Sequence, residues 1–313
     1  MNRNTIRDYF FTLSGYFTTA IEVCKSRYQV CLIVLGIQIV FQIVNISFSS
    51  GYAQRVVDDY FYSSHLHITA FHGWFAVVLF VCVAGFFVNW ISGGLIYSQS
   101  RSYVDRYRFG WKESLQYTCK RFLPFLMLNL ALFAIFLAVS IVFVLITTLI
   151  TTIGTLGFYS TSGSGVSVGM IVIAVFLYLG VCALFIVLLL KWFFSASSTW
   201  QYAKGGFQAI DYSNKLTEGI RGKLFGYLMM FLGFRVVIAM ISGIFGVIIG
   251  SAVAQNVIQV VLSVPINIFS LVYFNLVFIN VDALKHIHYS YYNLPPVQDS
   301  FIEFCNENNI EKE

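Results

Sequence analysis

Charge is what this sequence has least of. Only 11% of its residues are charged, against about a quarter in a soluble domain. That deficit excludes an ordinary water-facing surface over most of the chain. Lysine and arginine outnumber the acids, 19 to 14, but they lie in short dispersed clusters, so nucleic acid is not an expected partner. Catalytic signatures are missing too: there is no HExxH, GxSxG, P-loop or CxxC. No cofactor or resident metal is therefore expected, and the chain reads as a non-enzyme. The cysteines, Cys24, Cys31, Cys82, Cys119, Cys182 and Cys305, match neither a zinc knuckle nor a redox pair. None falls in a loop expected outside the cell, so they read as apolar fillers and reduced thiols rather than a disulfide framework. Residues 1–27 hold Arg3, Arg7, Asp8, Glu22, Lys25 and Arg27 with no uninterrupted apolar core, so no cleavable signal peptide is expected.

What the chain has is hydrophobic length. Apolar residues make up 58%, with 32 Phe and 19 Tyr. Phe suits a lipid-facing surface, and Tyr and Trp suit the headgroup boundary. Crossing about 30 Å of hydrocarbon takes about 20 mostly apolar residues as a helix. Six stretches qualify: Tyr28–Ile46, Trp74–Tyr97, Phe122–Ile150, Met170–Phe194, Leu224–Ala252 and Val257–Val281. None of them contains Asp or Glu, which argues against a carboxylate proton relay or an aspartyl protease. The loops over 47–73 and 151–169 and the turn near Gln255 carry one basic residue, Arg55. Arg235 lies inside a span. Every other lysine and arginine falls on the opposite side, in the N-terminal segment, the 98–121 loop, the stretch from Lys191 to Lys223, or the C-terminal tail. The positive-inside rule then places both termini in the cytoplasm. That placement requires an even number of spans, which agrees with six.

The segments heading the first, third and fifth spans resemble one another. They run Phe17 to Arg27, Trp111 to Arg121, and from Gly206 to Lys215, the last followed by an extra stretch to Lys223. Ile6, Phe10, Leu13, Phe17, Ile21 and Cys24 recur every three or four residues, the pattern of a helix lying at a membrane surface. The expected fold is an all-α membrane protein: six transmembrane helices as three pseudo-repeated hairpins, each preceded by a cytoplasmic amphipathic helix. The units are 1–97, 98–194 and 195–282, followed by a cytoplasmic tail, 283–313. Such parallel repeats share a pseudo-axis along the membrane normal.

A three-fold repeat of helix pairs is similar to the mitochondrial carriers, but no acid follows Pro124 or Pro265 in the spacing that family uses, which excludes it. The stretch Gly206-Phe-Gln-Ala-Ile-Asp-Tyr-Ser-Asn-Lys-Leu-Thr-Glu-Gly219 carries an A-x-x-x-S-x-x-L-x-x-G pattern at Ala209, Ser213, Leu216 and Gly219. It resembles the YciC-like bacterial inner-membrane proteins and the membrane domain associated with glycerophosphodiester phosphodiesterases. Gly110-Trp-Lys-Glu-Ser-Leu115 resembles the equivalent stretch of the preceding unit. The resemblance implies a bacterial inner membrane and no established biochemical activity. The soluble catalytic domain of those phosphodiesterases has no counterpart in these residues.

Arg235 is the charged residue placed deep in a span, about 16 Å along the fifth helix at 1.5 Å per residue. Burial of Arg there costs on the order of 3 kcal/mol on insertion scales. It therefore calls for protein or water, with Asn129, Asn267, Asn275 and Asp282 as candidate partners. One reading is contact with an anion or lipid headgroup in a cavity. The other is an Arg near the true membrane boundary. Gln38, Gln42 and Asn45 share one face of the first span, lining a path or bonding to neighbouring helices. Asp58, Asp59, His65, His67 and His72 carry the residue types of a metal site, but Tyr60, Phe61, Tyr62, Phe71 and Trp74 make that loop read more simply as an interfacial belt, and His286 and His288, a second H-x-H just past the last span, read more simply as a solvated or headgroup-facing pair. Gly243, Gly246 and Gly250 suit close helix packing, inside the fold or between copies.

In the tail, Ser300-Phe-Ile-Glu303 reads as a capping box for a short helix whose apolar side is Phe301, Phe304 and Cys305. That helix docks on a cytoplasmic or membrane protein partner, folds back on the basic loops, or stays unfolded. The leading expectation for function is a non-enzymatic inner-membrane protein in envelope or lipid homeostasis, or a subunit of a membrane complex, with membrane lipids as partners. The alternative is a permease or permease-like subunit for a small or amphipathic solute.

Overall fold

A computed structural model describes residues 13–62, 68–160, 165–250, 252–287 and 299–312. The described residues form eleven helices: α1 (Leu13–Ser26), α2 (Tyr28–Tyr62), α3 (Ile68–Asp105), α4 (Trp111–Lys120), α5 (Phe122–Ser160), α6 (Gly165–Lys191), α7 (Ser195–Tyr202), α8 (Gly206–Thr217), α9 (Arg221–Ile249), α10 (Ala252–Ile287) and α11 (Ser300–Glu307). Among them no strand forms. The sole bridge is an isolated pair, Tyr107 with Lys312.

Six of these helices, α2, α3, α5, α6, α9 and α10, carry stretches long and apolar enough to cross a membrane. Their outer faces are bare hydrocarbon: Phe133, Phe176, Val247 and Ile248 are all exposed, Val247 by 85%. Water would not tolerate such a surface, whereas lipid requires it. In lipid every backbone group must also be bonded internally, which is why the spans are helices. The chain is an all-α polytopic membrane protein.

The helices outrun the apolar stretches. α2 continues to Tyr62 and α3 begins at Ile68, inside the region expected as a loop over 47–73. α5 continues to Ser160 and α6 begins at Gly165, inside 151–169. Loss of hydropathy ends a span, but a helix already nucleated adds one hydrogen bond for each further residue.

The chain divides into two compact units. One comprises Met1–Phe122, Trp200–Tyr202 and Gly226–Glu313, the other Leu123–Thr199 and Ala203–Phe225. In the first, α10 is the central element and packs against α1, α2 and α3. Val264, Ile268, Val272, Tyr273, Leu276 and Phe278 along it are all buried. Tyr16 of α1, Tyr227 and Tyr273 meet edge to face, at centroid separations of 5.7 to 6.2 Å. Asn280 donates to the Tyr16 hydroxyl at 2.8 Å. α3 and α4 approach closely at Gly94, where an added Cβ would lie 2.5 Å from Thr118 Cγ2.

The second unit is built on α5, α6 and α8. Leu128, Ala131, Ala209 and Ile210 form its buried centre, with Trp192 and Ala196 against them. Here the four residues of the A-x-x-x-S-x-x-L-x-x-G pattern acquire physical roles. Ala209, Ser213 and Leu216 are fully buried. The Ser213 hydroxyl bridges the break between α6 and α7: it accepts from Phe194 N–H at 3.0 Å and donates to the Lys191 carbonyl at 2.9 Å. Gly219 has φ +79, which a side chain would resist.

The glycine motif of α9 also resolves. Gly250 has φ +67 and donates to the Gly246 carbonyl at 3.0 Å, so it ends the helix. Gly246 is buried, and a Cβ there would meet the Gln255 side chain at 2.7 Å. Both glycines serve the turn into α10.

The tail helix α11 folds back on the 98–121 region. Phe301 and Phe304 pack on Phe109 and Tyr117 with ring centroids 5.2 to 6.0 Å apart. Lys120 pairs with Glu307 at 3.1 Å. The cap differs from the capping box expected at Ser300. Asp299 is the N-cap, its carboxylate accepting from Phe301 and Ile302 N–H, while the Ser300 hydroxyl donates to the Gln201 carbonyl at 2.6 Å. A carboxylate one residue earlier reaches the same amides, and the serine is used for tertiary contact.

Candidate lipid-facing site

The expected candidates fall in several places. Arg235 lies on an exposed face of α9 and donates through Nη2 to Asn267 Oδ1 of α10 at 2.7 Å. Of the partners considered for it, Asn267 is the one it meets in this unit. Asn129 turns back on its own helix, donating to the Phe125 carbonyl at 2.8 Å. Asn275 is buried on α10. Asp282 belongs to a different network, described below. Gln38 and Gln42 are half-buried on α2. His65, His67 and His288 lie outside the described residues, and the side chains of Asp58, Asp59, His72 and His286 are likewise undescribed.

One feature of the first unit was not foreseen. A groove of about 590 Å³ runs between α1, the start of α2, α9 and α10. Its walls are apolar: Phe17 and Ile21 from α1, Leu32 and Leu35 from α2, Phe231 and Phe234 from α9, Phe269 from α10. Pro265 also lines it, inside α10, and having no N–H it leaves a gap in that helix's hydrogen-bond ladder. The volume lies in the range of pockets that hold small ligands, about 300–1,000 Å³. Tyr28, Cys31, Leu32 and Leu35 follow one another on one face of α2 at helical spacing, so the groove descends roughly 10 Å along the first span. Cys24 and Cys31 face each other within it. A hydrogen bond from the Cys31 thiol holds the Cys24 thiol below its usual range, with burial working the other way.

A second cavity, of about 380 Å³, adjoins the α1–α2 junction and is polar. Arg27, Gln29, Gln99, Arg108 and Trp111 line it, and Tyr28 lines both cavities. Gln99 fixes its floor. The buried amide nitrogen donates to the Phe109 and Gly110 carbonyls at 3.1 and 3.3 Å and to Ser114 Oγ at 2.5 Å. Arg27 is steered by a bond from Nη2 to the Tyr107 carbonyl at 3.0 Å. In the sequence Arg27 and Arg108 are two of many basic residues that set the topology. Their separation by some 80 residues hid the pairing.

The same unit holds a buried polar network at the far end of α10. Asp282 accepts from Gln201 Nε2 at 2.9 Å and from the Tyr202 hydroxyl. Tyr97 donates to Gln201 Oε1 at 2.9 Å. Arg101 pairs with Asp105 at 2.9 Å and Asp299 at 2.8 Å. Tyr117 donates to the Trp200 carbonyl, and burial pushes its hydroxyl well above the usual phenol range, with Arg121 opposing. These groups satisfy one another, so the network joins α3, the end of α7, α10 and α11 instead of presenting open valences to a ligand. Comparison with protein families, with curated proteins and with solved structures finds no match for this chain.

Proposed function

We propose that this chain is a non-enzymatic, lipid-binding protein of a bacterial inner membrane, built from three pseudo-repeated hairpins with both termini in the cytoplasm. The apolar groove between α1, α2, α9 and α10 carries the lipid-binding reading. It opens at the protein surface and is walled almost entirely by aromatic and aliphatic side chains, the surface an acyl chain fills with least loss of dispersion contact. The distribution of basic residues supports the orientation. The resemblance of the 206–219 segment to YciC-like proteins points to the same membrane. A permease would call for a polar path, yet Gln38, Gln42, Asn129, Asn267, Asn275 and Arg235 line neither cavity.

The test is lipid retention after purification in detergent. Leu35→Trp fills the groove from the α2 side. Native mass spectrometry of that variant is expected to show fewer bound phospholipids than the parent at similar thermal stability. An unchanged lipid complement in a folded Leu35→Trp protein would overturn the reading.

A further inference from the structure

Tyr28 is the common wall of an apolar groove and an arginine-lined pocket. That adjacency places two chemistries side by side. The pocket sits at the end of the candidate span Tyr28–Ser47, the level at which headgroups lie. The groove descends from there along α2. Tyr28 and Trp111, both exposed, stand at the pocket's edge, as amphipathic rings do at a membrane interface.

The pocket's electrostatics are one-sided. Arg27 and Arg108 line it and no carboxylate does. Glu113 lies close by but folds back over Gly110, where its Oε2 would be 2.5 Å from a Cβ added to that glycine. Glu22 is engaged by the Tyr103 hydroxyl at 3.0 Å. The Arg108 side chain is exposed and makes no hydrogen bond or ion pair among the described residues, while its backbone is held by a bond from N–H to the Glu311 carbonyl at 3.0 Å. A guanidinium presents a planar fork of donors that matches a phosphate diester in bidentate fashion. With two arginines and no carboxylate among its lining residues, the site favours a lipid of net negative charge.

We infer that Arg27 and Arg108 bind the phosphate of an anionic glycerophospholipid, of the phosphatidylglycerol type, one of whose acyl chains lies in the groove past Tyr28. This rests on the lipid-binding reading of the groove and adds the class of lipid it selects.

Arg108 is the residue to change, because its side chain makes no hydrogen bond or ion pair to another described residue. The purified, delipidated full-length protein is titrated with phosphatidylglycerol and with phosphatidylcholine of identical chains, read by native mass spectrometry. The parent is expected to prefer phosphatidylglycerol. Arg108→Gln is expected to reduce that preference about tenfold, the scale of losing a charged hydrogen bond, and to weaken phosphatidylcholine less, because the choline cation already offsets its phosphate. Arg108→Lys is expected to fall between, keeping the charge but not the fork. Leu35→Trp is expected to lose both lipids. Glycerol 3-phosphate, which has the phosphate but no chain, is expected not to displace bound lipid at millimolar concentration. Equal preference in the parent and in Arg108→Gln overturns the headgroup assignment and leaves the groove intact. Displacement by glycerol 3-phosphate also overturns it, in favour of a soluble phosphate ligand. Full binding of both lipids by Leu35→Trp overturns the groove itself.

Discussion

Arg101 donates through Nη2 to Asp299 Oδ2 at 2.8 Å, across 198 residues of chain. The other oxygen of the same carboxylate caps α11, accepting from Phe301 N–H at 3.1 Å. One side chain therefore fixes the tail helix at its start and neutralises an arginine that is 8% exposed. Loss of an N-cap costs about 1 kcal/mol, and unpairing a buried charge costs about 3–5 kcal/mol. Because Arg101 keeps Asp105, Asp299→Ala is expected to destabilise by an amount near the lower of those pairing values. Asp299→Asn, which retains the cap, should lose less. Thermal unfolding in detergent, with limited proteolysis of the tail as a second readout, checks the order. Equal loss in both variants would show that the charge contributes nothing.

The close approach of α3 and α4 supplies a second prediction. Ala at position 94 would set its Cβ 2.5 Å from Thr118 Cγ2 and 2.6 Å from Oγ1, and Thr118 is fully buried. Overpacking of this kind costs about 1–3 kcal/mol. Gly94→Ala is expected to lower the unfolding temperature, and adding Thr118→Ala should recover most of the loss. A double variant no better than the single one would mean that the strain lies elsewhere.

Arg235 and Asn267 form a pair on the α9 and α10 surfaces. Asn267→Leu leaves the guanidinium without its 2.7 Å partner and is expected to destabilise. Arg235→Leu removes a charge from an apolar span and is expected to be neutral or stabilising, since Arg at a helix centre costs on the order of 3 kcal/mol on insertion scales. A double-mutant cycle should return a coupling of about 1–2 kcal/mol. Simple additivity would show the contact to be incidental.

Thiol chemistry separates the groove from the tail. Cys24 lines the groove, with its thiol held below the usual range, so a lipophilic alkylating reagent is expected to label it, and bound phospholipid should slow the reaction. Cys305 is fully buried, and burial pushes its thiol up to about 12. It is expected to resist maleimide at neutral pH until the protein unfolds, whereas exposed Cys119 reacts. A thiol raised on folding contributes stability that is complete below its ordinary value of about 8.5. That contribution is lost as pH climbs toward the folded value. Stability of the parent should thus fall faster than that of Cys305→Ala above about pH 8.5, and the two should run parallel below it. Prompt labelling of Cys305 in the folded protein contradicts this.

Reading the residues in order fixes whatever depends on near neighbours. Six spans are visible because a window of about 20 residues suffices to decide them. The apolar side of the tail helix, Phe301, Phe304 and Cys305, is visible because helical spacing is local. Even so, the cap moved to Asp299 once Ser300 found the Gln201 carbonyl. Arg235 drew notice through its rarity in an apolar run, and its contact with Asn267 was among those anticipated.

The groove and the arginine pocket are of another kind. Phe17, Leu35, Phe231 and Phe269 are ordinary apolar residues in their own helices, and nothing local marks them as one wall. Arg27 and Arg108 look like any other basic residues at the ends of spans until the loop that Gln99 holds brings them together. The sequence by itself determined an all-helical membrane chain, because hydropathy and helix period act over one or two turns. Only the tertiary structure decided which faces were left unfilled and which charges shared a cavity, because those depend on packing between helices far apart in the chain.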